Sequence, residues 1–304
     1  MIQSNQARRL GGALEAVIGA VYFAPECHAR YEQLGFAASP GDMQGVALPD
    51  GPAYFTSRGS LLGQVPGELV AAAFGVFNPV AVVPSVLFGW TKTDAVTIRA
   101  ARFDGAVAHL RRVLPPEPDH FRSVAATLGS AVAACRPAGR PLFAGVIAQP
   151  QRDDPLEELF RLGDALREFR GDSHTAAWTA AGLDPVEIGL LTELYWGVPM
   201  HSYIRTRAWS DSDVSEAIGR LEARGYVVDS SFTDAGRAAR EAIEEATDLQ
   251  MAAPIAAMGG EFEDVVGHLE RWSALVRAAH GYPASGPHEL AEQAATRQLL
   301  TAPS

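Results

Sequence analysis

The most concentrated polar group in an otherwise apolar stretch of the chain is Arg170-Gly171-Asp172-Ser173-His174. A guanidinium such as that of Arg170 grips a carboxylate or phosphate through two parallel N–H donors. An imidazole such as that of His174 exchanges protons near neutral pH, and Asp172 is a candidate to orient it. Leu156, Leu159, Phe160, Gly163 and Leu166 share one helical face, which predicts a helix ending near Gly171. A second helix is then expected from Asp172 or Ser173 to about Gly182. The group would sit at a helix start, where unpaired N–H groups and a partial positive charge suit an anion. The same residues also fit a capped interhelical turn, with Asp172 as the cap, Arg170 in a salt bridge and His174 satisfied.

Tyr54, Ser57 and Arg58 form a second group, on a short extended piece running from Ala53 to Arg58 between Gly-rich loops. Arg58 either approaches a ligand beside Gly59 or closes an internal ion pair with Glu26 or Glu68. Glu26, His28 and Tyr31 make a third group. His28 and Glu32 share a helical face, but two ligands without an H-E-x-x-H pattern do not make a metal site. The sequence has no C-x-x-C, no G-x-G-x-x-G after a strand, no phosphate-binding P-loop and no G-x-S-x-G elbow, so neither metal nor cofactor is expected. Cys27 and Cys135 read as small buried apolar side chains. The aromatic residues are mostly core. A pocket is nonetheless expected between the N-terminal helices and the Arg170–His174 group, lined by Phe77, Trp178 and Tyr195, with Asn78 among its polar residues.

Those groups need a scaffold, and composition bounds it. The chain has 304 residues, 47% of them hydrophobic, with 25 Lys plus Arg against 36 Asp plus Glu and a formal net charge of -11. That is enough apolar surface for a sizeable core and a poor balance for gripping phosphate backbones or anionic membranes. Two stretches imitate membrane signals. Leu10 to Ala24 follows Arg8-Arg9, yet Glu15 interrupts it. Leu69 to Thr91 is uncharged, yet Asn78-Pro79 and Pro84 divide it into two short buried helices. The expectation is a cytoplasmic protein with no membrane contact. Start signals recur: Asp154-Pro155-Leu156-Glu157, Asp184-Pro185-Val186-Glu187, and Ser210 with Asp213. Gly225 supplies a stop, Tyr226 to Phe232 reads as a short β ribbon, and Thr233 caps a final helix pair broken near Pro254 and Gly259-Gly260. The fold class is mainly α, with a helical domain over 1–150, a helical plus winged-helix domain over 151–282 and a flexible tail over 283–304.

Trp209-Ser210-Asp211 and Leu221-Glu222-Ala223-Arg224-Gly225-Tyr226-Val227 resemble the recognition-helix and strand segment of MarR-like winged helices. Phe232-Thr233-Asp234-Ala235-Gly236-Arg237 resembles the L-T-x-x-G that follows the wing there. The whole chain is also similar to an actinobacterial family labelled helix-turn-helix, of unknown function. That resemblance rests on Tyr22-Phe23-Ala24-Pro25-Glu26, Tyr54-Phe55-Thr56-Ser57-Arg58-Gly59, Leu61-Leu62-Gly63 with Phe77-Asn78-Pro79, and Leu166 through His174. A single lysine, Lys92, among many arginines fits a GC-rich genome. The resemblance implies a helical N-terminal domain followed by a winged-helix one, and names no reaction.

Residue types argue against DNA as the target. The recognition-helix candidate carries Asp211, Asp213, Glu216 and Glu222, and its Arg220 and Arg224 lie at the C-terminal end. From Asp184 to Asp248 there are 13 acidic and 6 basic residues, and each acid near a groove opposes counterion release. Three functions follow: a binding protein for a small apolar or aromatic metabolite, through Arg170, Arg58, Tyr54, Ser57, Phe77, Asn78, Trp178 and Tyr195; a cofactor-independent enzyme using His174 and Asp172; or a MarR-like regulator contacting DNA through Arg205, Arg207, Ser212 and Arg220. A homodimer is expected, because a long terminal helix pair after a winged helix commonly pairs with its copy.

Overall fold

The structure is a computed structural model that describes residues 2–283; the tail expected over 283–304 lies, beyond Pro283, outside the described residues. The protein is mainly α-helical, with two short antiparallel ribbons. In chain order the helices are α1 (Ile2–Gly19), α2 (Pro25–Gln33), α3 (Gly51–Gly59), α4 (Gly67–Phe74), α5 (Pro79–Lys92), α6 (Ala95–Val113), α7 (Pro118–Ala133), α8 (Pro141–Ile147) and α9 (Pro155–Ala180). They continue with α10 (Pro185–Trp196), α11 (Asp211–Ala223), α12 (Asp234–Gln250), α13 (Ala252–Met258) and α14 (Phe262–Ala278). One ribbon pairs β1 (Asp42–Met43) with β2 (Val46–Ala47). The other pairs β3 (Val227–Val228) with β4 (Ser231–Phe232), in register Val227 to Phe232.

The start signals work as local chemistry dictates. Asp154 accepts from the amides of Leu156 and Glu157, Asp184 with Glu187 and Ser210 with Asp213 close reciprocal capping boxes, and Thr233 accepts from Gly236 N. Leu69 to Thr91 does split into two helices at Asn78-Pro79, while Pro84 is absorbed inside α5. The break between α12 and α13 falls at Met251 rather than at Pro254, which sits in the first turn of α13. The run Asn5–Gln33 is apolar and long enough to cross a membrane, but 72% of its apolar window is buried against the rest of the protein.

Two expectations fail. Ala53 to Arg58 is helical within α3, because Asp50 caps its start and Pro52 lies in the first turn. More consequentially, α9 is one helix of 26 residues that runs straight through Gly171. A mid-helix glycine costs about 1 kcal/mol against alanine, and packing of α9 against α1, α7, α8 and α12 outweighs it. Asp172 therefore caps no helix of its own. Its Oδ2 accepts from Phe143 N at 3.0 Å, capping the start of α8 from across the interface.

Two apolar cores form. The larger draws on α1 to α8, on α9 as far as Phe169, and on α13 and α14; Trp272, Phe55, Phe143 and Phe160 are fully enclosed. The smaller holds Ala177 and Trp178 from the end of α9, then α10, α11, β3 and Ile243 of α12. Gly236 explains the glycine after the ribbon: a Cβ there would lie 1.9 Å from the Tyr226 carbonyl oxygen. Gly219, exposed on α11, has nothing within 4 Å of that position. Gly236→Ala is expected to destabilise by about 1–3 kcal/mol through overpacking, and Gly219→Ala to stabilise by about 0.5–1 kcal/mol through helix propensity. Urea denaturation of both variants checks this pair, and equal effects would show that the ribbon does not press on α12.

Candidate functional site

A cavity of about 610 Å³ lies at the seam between the two cores. That volume suits a drug-sized molecule. Its walls come from α1, α3, α9, α10 and α12, from the connector between α10 and α11, and from Tyr282. Helix α9 forms the floor, and its side chains divide by spacing. Asp164, Glu168 and Asp172 recur every four residues on one buried face. Arg167, Arg170 and His174 recur at i, i+3 and i+7 and line the cavity.

The buried acids are each held by a different element. Asp164 receives Arg102 of α6 through two bonds of 2.7 and 3.0 Å. Glu168 receives Arg58 of α3 at 3.1 and 2.7 Å, so Arg58 does close an internal ion pair, with Glu168 rather than Glu26 or Glu68. Glu26 is engaged instead by Arg112 and His109. Burial disfavours the Glu168 carboxylate, but Arg58, Arg167 and Arg102 overcome it and hold it at about 2. Burial dominates at Asp172 and raises it to about 6, against the donated Phe143 amide.

On the cavity face, Arg167 bridges Glu15 at 3.0 Å, and Tyr282 donates to the same carboxylate at 2.7 Å. Arg170 donates to Glu244 at 3.0 Å and to Asp248 at 3.4 Å. It stands mid-helix, not at a helix start, so the expected anion site of unpaired N–H groups does not exist there. His174 Nδ1 lies 3.2 Å from the Thr247 hydroxyl and 3.9 Å from Glu244. Burial lowers His174 to about 4 in spite of Glu244, with Arg240 and Arg170 adding to the effect, so the ring is neutral at pH 7. Asp172 does not orient it, because residues two apart on a helix face different ways and the Asp172 carboxylate is spent on α8.

Of the ten residues singled out for ligand binding or catalysis, six line this cavity: Tyr54, Arg58, Phe77, Arg170, His174 and Tyr195. Asp172, Ser57, Asn78 and Trp178 do not. Ser57 donates to the Tyr54 carbonyl inside α3. Asn78 caps α5 and donates to the Ala208 carbonyl at 3.1 Å. Trp178 packs into the smaller core because α9 carries it past the cavity. Reading from sequence missed Arg8, Glu15, Tyr22, Arg167 and Glu168 as lining residues; the regular acid spacing along α9 was the available signal. The pair Gly11-Gly12 inside a helical stripe was another. Both glycines line the cavity, Gly12 is exposed, and a Cβ at Gly12 meets nothing within 4 Å.

The smaller core presents helix α10, a connector, helix α11, a ribbon and helix α12. A family model described as a helix-turn-helix family matches residues 7–283. The chain belongs to that family. No curated protein and no solved structure shows a significant match to the chain. In this helix-turn-helix protein three arginines of the second half are engaged within the chain or face inward. Arg220 is ion-paired to Asp184 at 2.6 Å, Arg224 donates to the Gly182 carbonyl at 2.7 Å, and Arg207 lines the internal cavity. Arg205 is half-buried, and Ser212 is exposed between Asp211 and Asp213. Among the described residues, no group of three or more His, Cys, Asp or Glu is placed to hold a metal, and Cys27 and Cys135 are free and buried.

His174 gives a measurable pH signature. An unfolded histidine titrates near 6.5, the folded ring near 4. Below pH 6.5 the unfolded chain takes up a proton that the folded site refuses, so this residue costs stability as pH falls toward 4. Between pH 7 and 5 the cost is about 2 kcal/mol, at about 1.4 kcal/mol per unit. His174→Gln is expected to lose that much less stability over the same interval in urea titrations. Identical losses in the variant and the parent would mean that the ring is not desolvated.

Proposed function

We propose that this protein binds a small, largely apolar or aromatic metabolite inside the seam cavity, on a winged-helix scaffold that no longer grips DNA. The single observation that carries this reading is the cavity itself, of about 610 Å³. It is walled by rings such as Tyr54, Phe77, Tyr195 and Tyr203, and its charged groups converge from both cores. An apolar pocket with a few converging polar groups is the general form of a ligand site.

Regulation of DNA is the second reading, and family membership favours it. The surface argues the other way. The outer face of α11 exposes Asp211, Ser212, Glu216 and Glu222, and its two arginines are turned back onto α10 and the loop before it. The net charge of -11 adds long-range repulsion from phosphates. Acid–base catalysis by His174 in the same cavity is the third reading. It lacks the Asp172 partner expected for it, and a histidine titrating near 4 is a weak base at neutral pH. A cytoplasmic location is part of the same proposal, supported by Glu15 interrupting the apolar N-terminal run and by the burial of most of that run against the rest of the protein.

Protein purified from its own host under native conditions is expected to carry a small molecule, seen as a mass increment in native mass spectrometry and lost on denaturation. Gly12→Phe puts a ring into the cavity at a position with room for it and is expected to abolish the increment while leaving the thermal midpoint within a few degrees. A salt titration with host promoter DNA supplies the opposite outcome. Affinity rising well above a non-specific level at low salt, with no ligand retained, would replace this reading with the regulatory one.

A further inference from the structure

The cavity is lined by six arginines and three glutamates, and five of those arginines are already matched. Arg8 meets Asp248 and Glu241 at 2.6 Å, Arg58 meets Glu168 at 2.7 Å, and Arg167 meets Glu15 at 3.0 Å. Arg170 meets Glu244 at 3.0 Å, and Arg240 meets the same residue at 2.7 Å. Arg207 is different. Among the described residues it has no carboxylate partner and donates no side-chain hydrogen bond. Its Cζ lies 4.5 Å from the centre of the Phe77 ring and 4.3 Å from that of Tyr203.

Ring faces attract a cation but accept none of its in-plane hydrogen bonds. Leaving a half-buried guanidinium without an acid is costly, and Arg58 and Arg167 nearby add like charge. Burial, with those neighbours, pushes Arg207 down to about 10, which leaves it fully cationic at neutral pH. Its backbone is also fixed in advance. The Arg207 carbonyl accepts from Asn78 N at 2.9 Å, the Ala208 carbonyl accepts from the Asn78 side chain at 3.1 Å, and Trp209 donates to the Val76 carbonyl at 2.9 Å. A preorganised, half-buried cation flanked by two rings is an arrangement suited to an anion attached to a flat apolar body.

We propose that the ligand is an amphipathic monocarboxylate with an aromatic body, its carboxylate paired with Arg207 and its rings against Phe77 and Tyr203. This rests on the reading of the cavity as the binding site and narrows its ligand class. One uncompensated cation matches one negative charge. A phosphate dianion would bring a second charge with no cation free to meet it, and a neutral ligand would leave Arg207 as it is.

Isothermal titration of biphenyl-4-carboxylate and its uncharged analogue biphenyl-4-carboxamide into the full chain at pH 7 tests the assignment. The carboxylate is expected to bind at least about tenfold more tightly, the scale of a hydrogen bond to a charged group. Arg207→Met is expected to bring the two Kd values within about twofold by weakening the carboxylate alone. Arg207→Lys should keep part of the preference. Equal binding of the two probes to the unmodified chain would overturn the Arg207 assignment while leaving the cavity as the site, and so would a preference that survives Arg207→Met. Binding of neither probe would remove both, and this comparison in the parent protein does not depend on any variant folding.

Discussion

Three carboxylates that cannot be left alone organise this protein. Asp164, Glu168 and Asp172 are 2%, 0% and 4% exposed, spaced four residues apart along α9. Each obliges a separate element to come to it: α6 through Arg102, α3 through Arg58, and α8 through the amide of Phe143. A buried acid stripped of its partner costs about 3–5 kcal/mol. The packing of those three elements is therefore fixed by charge as well as by shape. Apolar side chains before and between the acids, among them Leu159, Ala165, Leu166 and Phe169, are buried beside them, but burial alone is non-directional.

With one face of α9 committed in this way, its other charged face has to look elsewhere. Arg167, Arg170 and His174 turn toward α1 and α12, and the space between them and the smaller core stays open because the groups around it are long, charged and mutually paired rather than interdigitated. Tyr22 stands at the junction of the two faces, with the Arg167 guanidinium 5.1 Å from its ring centre and its hydroxyl donating to Glu168 at 3.3 Å. The cavity is thus a by-product of how the central helix is anchored, and its polar lining is continuous with the network that anchors it.

Much of the architecture was legible in the sequence because helix starts are local. Asp154, Asp184, Ser210 and Thr233 each act on amides two or three residues away, and the sequence contains both partners. The ribbon and the split at Asn78-Pro79 were readable for the same reason. What could not be read is non-local. The stretch from Arg170 to His174 has the composition of a turn, and only the surrounding helices make it a continuous one; Asp172 looks like a cap and is one, for a helix thirty residues earlier in the chain. Arg58 was legible as an ion pair, but its acid, Glu168, is set by tertiary packing. In the sequence, Arg207 stands with Arg205 as a DNA contact only within the regulator alternative. Whether it faces out or in depends on the left-handed backbone at Ala208 and the hydrogen bonds from Asn78, which no spacing reveals.

The strap formed by residues 76–78 and 207–209 joins the two cores, and it ends one residue before Ser210, the cap that roots α11. The inner wall of the chamber and the mounting of the outermost helix are therefore one stretch of backbone. An occupant that immobilised this wall would act on the mounting through that shared backbone. Where such an occupant changes how α11 is gripped from outside, thermodynamic reciprocity makes that grip change the hold on the occupant by the same factor.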